Sequence, residues 1–184
     1  MDATSARQQA NQEVTRLISG LTPEHREMPT PCDEWTVHEL VDHLCEGAHM
    51  IAGAFEAQAP PEEAPDFLAD GPMNGWSAAS SHLAAASTPE VLSALQQMPF
   101  GEVPGEAALG LIVSDQITHA WDLAQATGQD HGLSDELCQY ALATWQGLVP
   151  AEGRDGKNFK DAIAVGPDAS AVDQLCAYTG RQPA

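Results

Sequence analysis

An uninterrupted helical pattern occupies residues 106–128, which read EAALGLIVSDQITHAWDLAQATG. Apolar side chains recur every three or four positions, as on a helix that packs against a core, and Gly128 follows as a stop signal. These apolar positions are Leu109, Ile112, Val113, Ile117 and Leu123. The stretch therefore predicts a long, strongly apolar helix that also bears the polar residues Asp115 and His119.

Helical periodicity extends over most of the remaining chain and predicts an all-α fold. The second predicted helix opens with a capping box, in which Thr36 is the N-cap and Glu39 follows three residues later. Residues 58–75 contain four prolines and predict a long crossover loop. The predicted helices cover 4–19, 36–57, 75–98 with a break at 87–90, 106–127, 134–148 and 170–179, with a loop at 99–105 and a strand or extended segment at 162–165.

Length and composition suit one globular domain, because the chain has 184 residues and 43% of them are hydrophobic. No apolar run approaches the roughly 18–20 residues that cross a bilayer, and the N-terminus lacks the basic and apolar segments of a signal peptide. The four cysteines form no CxxC pair, which argues against a disulfide framework or a metal knuckle. We therefore expect a cytoplasmic protein with no membrane partner.

The charge distribution limits the kinds of ligand that the protein is expected to bind. The formal net charge is −20, and no lysine or arginine lies between Glu27 and Glu152, a stretch that holds 20 of the 27 acidic residues. Binding to nucleic acid or to anionic lipid requires a basic surface, so we expect neither. A cation, a metal ion or a neutral substrate suits this stretch better than an anion. The simpler interpretation is a solvated acidic surface that maintains solubility.

Three residues form a candidate metal site. Asp115 and His119 are four residues apart, which places them one turn apart on one face of the predicted helix. His43 lies on the capped helix, and if the two helices are neighbours the three residues make a two-histidine, one-carboxylate set. Three protein ligands leave one coordination position open, as in catalytic zinc sites. The spacing also allows simpler roles: a hydrogen bond or exposed ion pair for Asp115 and His119, and a core position for His43.

Three segments of the chain resemble signatures of one protein family. Residues 30–44, TPCDEWTVHELVDHL, resemble the N-terminal signature of actinobacterial proteins related to mycothiol-dependent maleylpyruvate isomerase, within the DinB-like metal-binding superfamily. Residues 115–124, DQITHAWDLA, resemble the second signature of that group, and residues 175–183, LCAYTGRQP, resemble its usual C-terminus. The order of the three matches agrees with that of the family.

The resemblance implies an architecture. The family fold is a four-helix bundle with a long crossover, which agrees with the proline-rich segment 58–75. We expect the bundle to occupy residues 1–149 and a short C-terminal extension, residues 150–184, to pack on it. The isomerase itself carries a larger C-terminal domain, for which this extension is too short.

The resemblance also implies ligands and a cofactor. By their positions in the motifs, His43, Asp115 and His119 are the metal ligands, with zinc as the expected metal and nickel as the alternative. In the isomerase the carboxylate ligand is a glutamate, so the shorter Asp115 matches the wider group better than that enzyme. The enzymes of the superfamily mostly use low-molecular-weight thiols, and in this branch the thiol is mycothiol.

Several further residues have more than one interpretation. Asp122 is three residues after His119 and is either an acceptor that orients that imidazole or a solvated acid. Arg181 is either an anion anchor over the site or a surface residue, and Trp35 and Trp121 either pack in the core or line a pocket. Maleylpyruvate is a dianion, so binding it would require a cation over the site, from the set Arg154, Lys157, Lys160 and Arg181.

These observations support three functional hypotheses. The first is a metal-dependent enzyme, a thiol transferase or isomerase, whose partners are a small-molecule thiol and an acceptor substrate. The second is a non-enzymatic bundle that binds metal and acts through a protein partner, which a closed coordination sphere would favour. The third is an acidic decoy for a basic protein surface. A homodimer is compatible with each of them but is not required.

Overall fold

The structure is a computed structural model that describes residues 1–32, 35–63, 65–98, 101–154, 156 and 159–183. Four long helices account for most of it, joined by a short helix, one hairpin and two C-terminal helices. The elements are α1 (Ala3–Ser19), α2 (Val37–Phe55), α3 (Pro72–Ala86), α4 (Pro89–Ser93), β1 (Leu95–Met98), β2 (Gly101–Pro104), α5 (Gly105–Thr127), α6 (Asp135–Leu148) and α7 (Ala171–Tyr178).

Helices α1, α5, α2 and α3 form a ring around one core. Helix α1 packs against α5 and α3, and α2 packs against the same two helices, so α1 and α2 occupy opposite corners. Helix α6 packs on the outer side of α5, and α7 packs on α6. The predicted all-α bundle is therefore confirmed, with one two-stranded antiparallel hairpin added to it.

Helix α5 is covered on three sides, by α1, α2 and α6. Its residues from Ile112 to Ala124 are buried with few exceptions, including the polar Gln116, His119 and Asp122. This position explains why its sequence is apolar around most of its circumference rather than along one stripe. A polar group on α5 must therefore find its partner inside the protein.

The predicted starts of α2 and α6 and the predicted end of α5 agree with the structure. Thr36 and Glu39 form the capping box of α2: the Thr36 backbone N–H donates to the Glu39 carboxylate at 2.7 Å, and the Glu39 N–H donates to the Thr36 hydroxyl at 3.3 Å. Thr88 caps α4 and Ser134 caps α6. Helix α5 ends at Gly128, which has a φ of 68° that favours glycine.

Two details of the predicted secondary structure are wrong. Residues 95–98 are a strand instead of the end of a helix, because they pair with 101–104 in the register Leu95↔Pro104 to Met98↔Gly101. The helical spacing of the apolar residues there does not reveal this pairing, although Gly101, with a φ of 122°, permits it. Helix α3 begins at Pro72 rather than at 75, because Gly71 and Pro72 form its start. Residues 162–165, predicted as a strand or an extended segment, belong to no strand.

Helices α2 and α3 are joined by residues 56–71, and a histidine pair links the same two helices. The Nδ1 atoms of His49 and His82 are 2.8 Å apart, and His82 Nε2 lies 3.1 Å from a Glu56 carboxylate oxygen. The His49 ring also stacks on Phe67 of the connection, with 5.1 Å between ring centroids. Burial, together with the charge of His82, lowers the pKa of His49.

This lowered pKa predicts a loss of stability in acid. Because the unfolded chain protonates His49 more readily than the folded protein, the free energy of unfolding falls as the pH drops below about 6.5, the ordinary value for histidine. Thermal unfolding of wild-type protein and of His49→Gln, at about pH 7.5 and about pH 5.5, measures the effect. We expect the variant to lose less stability over this interval. Equal losses in the two proteins would contradict the prediction.

None of the helices within the described residues is long and apolar enough to span a membrane.

Candidate metal centre

Helices α2 and α5 bring the three predicted ligands together. His43 Nε2 lies 3.2 Å from one Asp115 carboxylate oxygen, and His119 Nε2 lies 3.4 Å from the other. One ligand atom from each of the three residues falls within 4.8 Å of the others. The two helices run antiparallel here, since Gly47, one turn after His43, faces Ile112, which precedes Asp115. The predicted juxtaposition of the two helices is thus present.

The three side chains face an open cavity of about 480 Å³. The exposed fraction is 31% for His43, 23% for Asp115 and 8% for His119, so the cluster lies at the inner end of the cavity rather than on the surface. Most of the wall is apolar, formed by Trp35, Met50, Ile51, Leu111, Ile112, Trp145 and Phe159. A ligand in this cavity would therefore reach the three donor atoms while contacting mainly apolar side chains.

Asp115 is ionised in this arrangement. Burial alone would raise its pKa, but the charge of His119 and the hydrogen bonds from both histidines outweigh it and lower the pKa below its ordinary value. Burial would likewise lower the pKa of His119, and the Asp115 charge outweighs that and raises it. The carboxylate therefore acts as the shared acceptor of two imidazole nitrogens.

The opposite nitrogen of His119 faces a buried carboxylate. His119 Nδ1 lies 2.9 Å from Asp122 Oδ2, and the Asp122 side chain is fully buried. Burial alone would raise the pKa of Asp122, but the Arg181 charge and the contact with His119 lower it below the ordinary value. An ionised carboxylate only accepts, so Nδ1 carries a proton and donates it to Asp122. The second of the two interpretations of Asp122, a solvated acid, is thereby excluded.

Among the described residues, two groups have the spacing of a metal site. One is His43, Asp115 and His119, and the other is Cys32, His119 and Asp122. They use opposite nitrogens of the His119 ring, Nε2 for the first group and Nδ1 for the second. In the second group Asp122 already binds the Arg181 guanidinium, and a nearby fixed cation disfavours a metal ion. The first group fits a divalent cation better, because its donors are two imidazoles and one carboxylate facing open space.

Cys32 is a site residue that the sequence did not reveal. Its Sγ lies 3.1 Å from Asp122 Oδ2 and 3.6 Å from His119 Nδ1, and it lines the cavity. The other three cysteines are buried in the core, at Cys45, Cys138 and Cys176. The one available signal was its place in the first motif, beside Pro31, in a loop ahead of the helix that bears His43.

The tryptophans divide between the cavity and the core. Trp35 lines the cavity, with its ring centroid 4.6 Å from that of His43 and 5.8 Å from that of His119. Trp121 is buried and packs in the core. Trp145 does both, because it contacts the cavity and donates its indole N–H to the buried Thr118 hydroxyl at 3.0 Å.

The four candidate cations have different positions. Arg181 lines the cavity, but its guanidinium already donates to the Asp122 carboxylate and the Thr179 carbonyl, so its role as an anion anchor is not supported. Arg154 instead donates to backbone carbonyl oxygens of Pro150, Lys160 and Tyr178. Lys160 lines the cavity. Lys157 lies outside the described residues.

The fold and the cluster together define an α-helical bundle with a two-histidine, one-carboxylate centre in an open cavity. Comparison with known protein families assigns the chain to one family. It belongs to the family described as the mycothiol maleylpyruvate isomerase N-terminal domain, whose model matches residues 7–101. That range contains His43, while Asp115 and His119 follow it.

The curated relatives cover the whole chain. Two uncharacterized proteins from two strains of Mycobacterium tuberculosis are each 35% identical to it over 182 residues, which is 98% of this chain and 98% of theirs. No solved structure matches the chain.

Proposed function

We propose that this protein binds one divalent metal ion through His43, Asp115 and His119 and uses it as an enzyme acting on a low-molecular-weight thiol. The observation that supports this most is the position of the three donor atoms, which face a cavity of about 480 Å³ and are joined by no fourth ligand among the described residues. Catalytic metal sites keep such a position open, whereas structural sites are closed. Zinc is the proposed metal, because imidazole and carboxylate ligands in this number suit it, and nickel is the alternative.

The thiol is proposed to be mycothiol. A bound divalent metal would supply one kind of chemistry here: it would hold the thiol sulfur as a thiolate, ready to attack an acceptor. The residues of the chain do the rest. Apolar walls exclude water, Asp122 holds the Nδ1 proton of His119, and the guanidinium of Arg181 is already committed to Asp122. A thiol that is uncharged apart from its sulfur fits a chain of net charge −20 better than an anionic one.

The acceptor and the compartment are part of the same proposal. A transferase or an isomerase would each place its acceptor against the apolar wall of the cavity, within reach of the thiol. The four cysteines are free thiols, which supports a reducing, cytoplasmic compartment.

Titration with cobalt(II), a spectroscopic substitute for zinc, tests the proposal. We expect the protein to bind one equivalent, and subsequent addition of mycothiol to produce a thiolate-to-cobalt charge-transfer band, because a coordinated thiol is deprotonated. Glutathione, which carries two carboxylates, is expected to give a weaker band at the same concentration. Cys32→Ser identifies the source of the band: a band that persists in this variant comes from the added thiol and not from Cys32, which lines the cavity.

Two outcomes would change the conclusion. A protein that binds cobalt(II) but shows no band with either thiol would favour the second hypothesis, a non-enzymatic metal-binding bundle that acts through a partner. A protein that binds no divalent metal would contradict the proposal altogether.

A further inference from the structure

The C-terminal extension reaches the candidate metal centre through one side chain. Arg181 donates from Nε to Asp122 Oδ1 at 3.0 Å and from Nη2 to Asp122 Oδ2 at 2.8 Å, so the guanidinium makes a bidentate contact with the carboxylate. The Arg181 side chain is only 9% exposed and that of Asp122 is fully buried. The family match ends at residue 101, far from this residue.

This bidentate contact fixes the plane of the Asp122 carboxylate. Oδ2 also accepts the Nδ1 proton of His119 at 2.9 Å and the thiol proton of Cys32 at 3.1 Å. With Nδ1 held in this way, the Nε2 atom of the same ring is directed at Asp115 and at the cavity. Asp122, which orients Nε2 of His119 towards Asp115, is therefore itself held by Arg181, 59 positions further along the chain.

The backbone that precedes Arg181 forms a closely packed turn. Gly180 has a φ of 80°, and a Cβ at that position would come within 2.7 Å of both Cβ and the carbonyl oxygen of Lys160. Arg154 donates to the carbonyl oxygens of Lys160 and Tyr178, which ties the two sides of this turn together. The Arg181 side chain thus projects from a fixed backbone.

We propose that Arg181 is a positioning residue of the metal centre, which orients His119 through Asp122 and couples metal binding to the docking of residues 179–183. The inference rests on the metal-binding part of the proposed function. Outer-shell partners of a metal-bound histidine fix its tautomer and its ring orientation. Coupling is reciprocal, so a metal ion that is bound more tightly when Arg181 is docked must also stabilise the docked extension.

The test compares three variants for two properties. Arg181→Gln removes the charge of the side chain, and Arg181→Lys keeps the charge but cannot reproduce the two parallel hydrogen bonds to Asp122. Arg154→Gln weakens the anchoring of the extension without changing a residue that contacts Asp122. Cobalt(II) affinity is measured by competition with a chelator. The Nδ1 proton of His119 is followed by nuclear magnetic resonance of metal-free protein labelled with ¹⁵N-histidine, a signal that does not depend on metal.

We expect Arg181→Gln to bind cobalt(II) about 10-fold more weakly, at the lower end of what the loss of an outer-shell partner costs. The His119 Nδ1–H resonance should shift or broaden in the same variant, while Arg181→Lys should restore part of both properties. Arg154→Gln should change the affinity less than Arg181→Gln. In wild-type protein, cobalt(II) should slow proteolytic cleavage within residues 150–183.

Wild-type cobalt(II) affinity together with an unmoved Nδ1–H resonance in folded Arg181→Gln would overturn the inference. So would an affinity loss in Arg154→Gln that equals or exceeds that of Arg181→Gln while the His119 Nδ1–H resonance of Arg154→Gln stays unmoved, because docking would then act without orienting His119 through Asp122. If wild-type protein binds no metal, the proposed function fails, whereas the Nδ1–H resonance of the metal-free variants still tests whether Arg181 positions His119.

Discussion

Asp115→Asn is expected to weaken divalent metal binding by at least about 100-fold, the upper end of what is lost when an outer-shell partner of a ligand is removed. Asp115 is the most consequential of the three proposed ligands, because its two carboxylate oxygens each face one histidine Nε2. The amide of asparagine keeps the shape but loses the charge that favours a cation. Cobalt(II) titration and metal analysis of the purified protein measure the effect.

Asp42→Asn provides the matched control. Asp42 immediately precedes His43 on α2 and is absent from both groups with metal-site spacing among the described residues. We expect it to retain wild-type affinity, so that a loss in Asp115→Asn cannot be attributed to the change in net charge alone. Equal affinities in Asp115→Asn and wild type would show that the metal, if bound, lies elsewhere.

The second large effect concerns stability. Asp122→Ala is expected to lower the free energy of unfolding of the metal-free protein by about 3–5 kcal/mol, the range for breaking a buried ion pair by removing one partner. The alanine would leave the guanidinium of Arg181 and the imidazole of His119 without their buried acceptor. Urea unfolding near pH 7, followed by circular dichroism, provides the measurement.

Two further variants test whether the loss of stability is specific to the buried pair of Asp122 and Arg181. Asp168→Ala changes an exposed aspartate of the same extension and should stay within about 0.5 kcal/mol of wild type. Asp122→Asn should fall between Asp122→Ala and wild type, because the amide oxygen still accepts one hydrogen bond. A loss below about 1 kcal/mol in Asp122→Ala would mean that the pair is not buried in solution.

The sequence predicted the bundle and the ligand cluster because both depend on short-range patterns. The capping box at Thr36 and Glu39 determines where α2 begins, and the four-residue spacing of Asp115 and His119 determines that they share a face. The approach of His43 to that face was a condition of the hypothesis, and it required the two helices to be neighbours. The motif resemblance supplied that condition.

The remaining features of the site depend on contacts between distant segments. Cys32 meets Asp122 across 90 positions, and neither residue type nor spacing indicates such a contact. For Arg181 the sequence offered an anion anchor over the site or a surface residue, whereas in the structure its guanidinium binds Asp122. The hairpin at 95–104 was missed for a related reason, because strand pairing depends on a partner and not on periodicity alone.

The position of Trp35 has an optical consequence. Its indole ring lies against His43 and lines the cavity, whereas Trp76, Trp121 and Trp145 are at most 5% exposed. A paramagnetic ion such as cobalt(II), a few ångströms from an indole, quenches its fluorescence, and the effect weakens steeply with distance. Because Trp145 also lines the cavity, comparison with Trp35→Phe would isolate the part of the intrinsic emission through which Trp35 responds to an ion in the cavity.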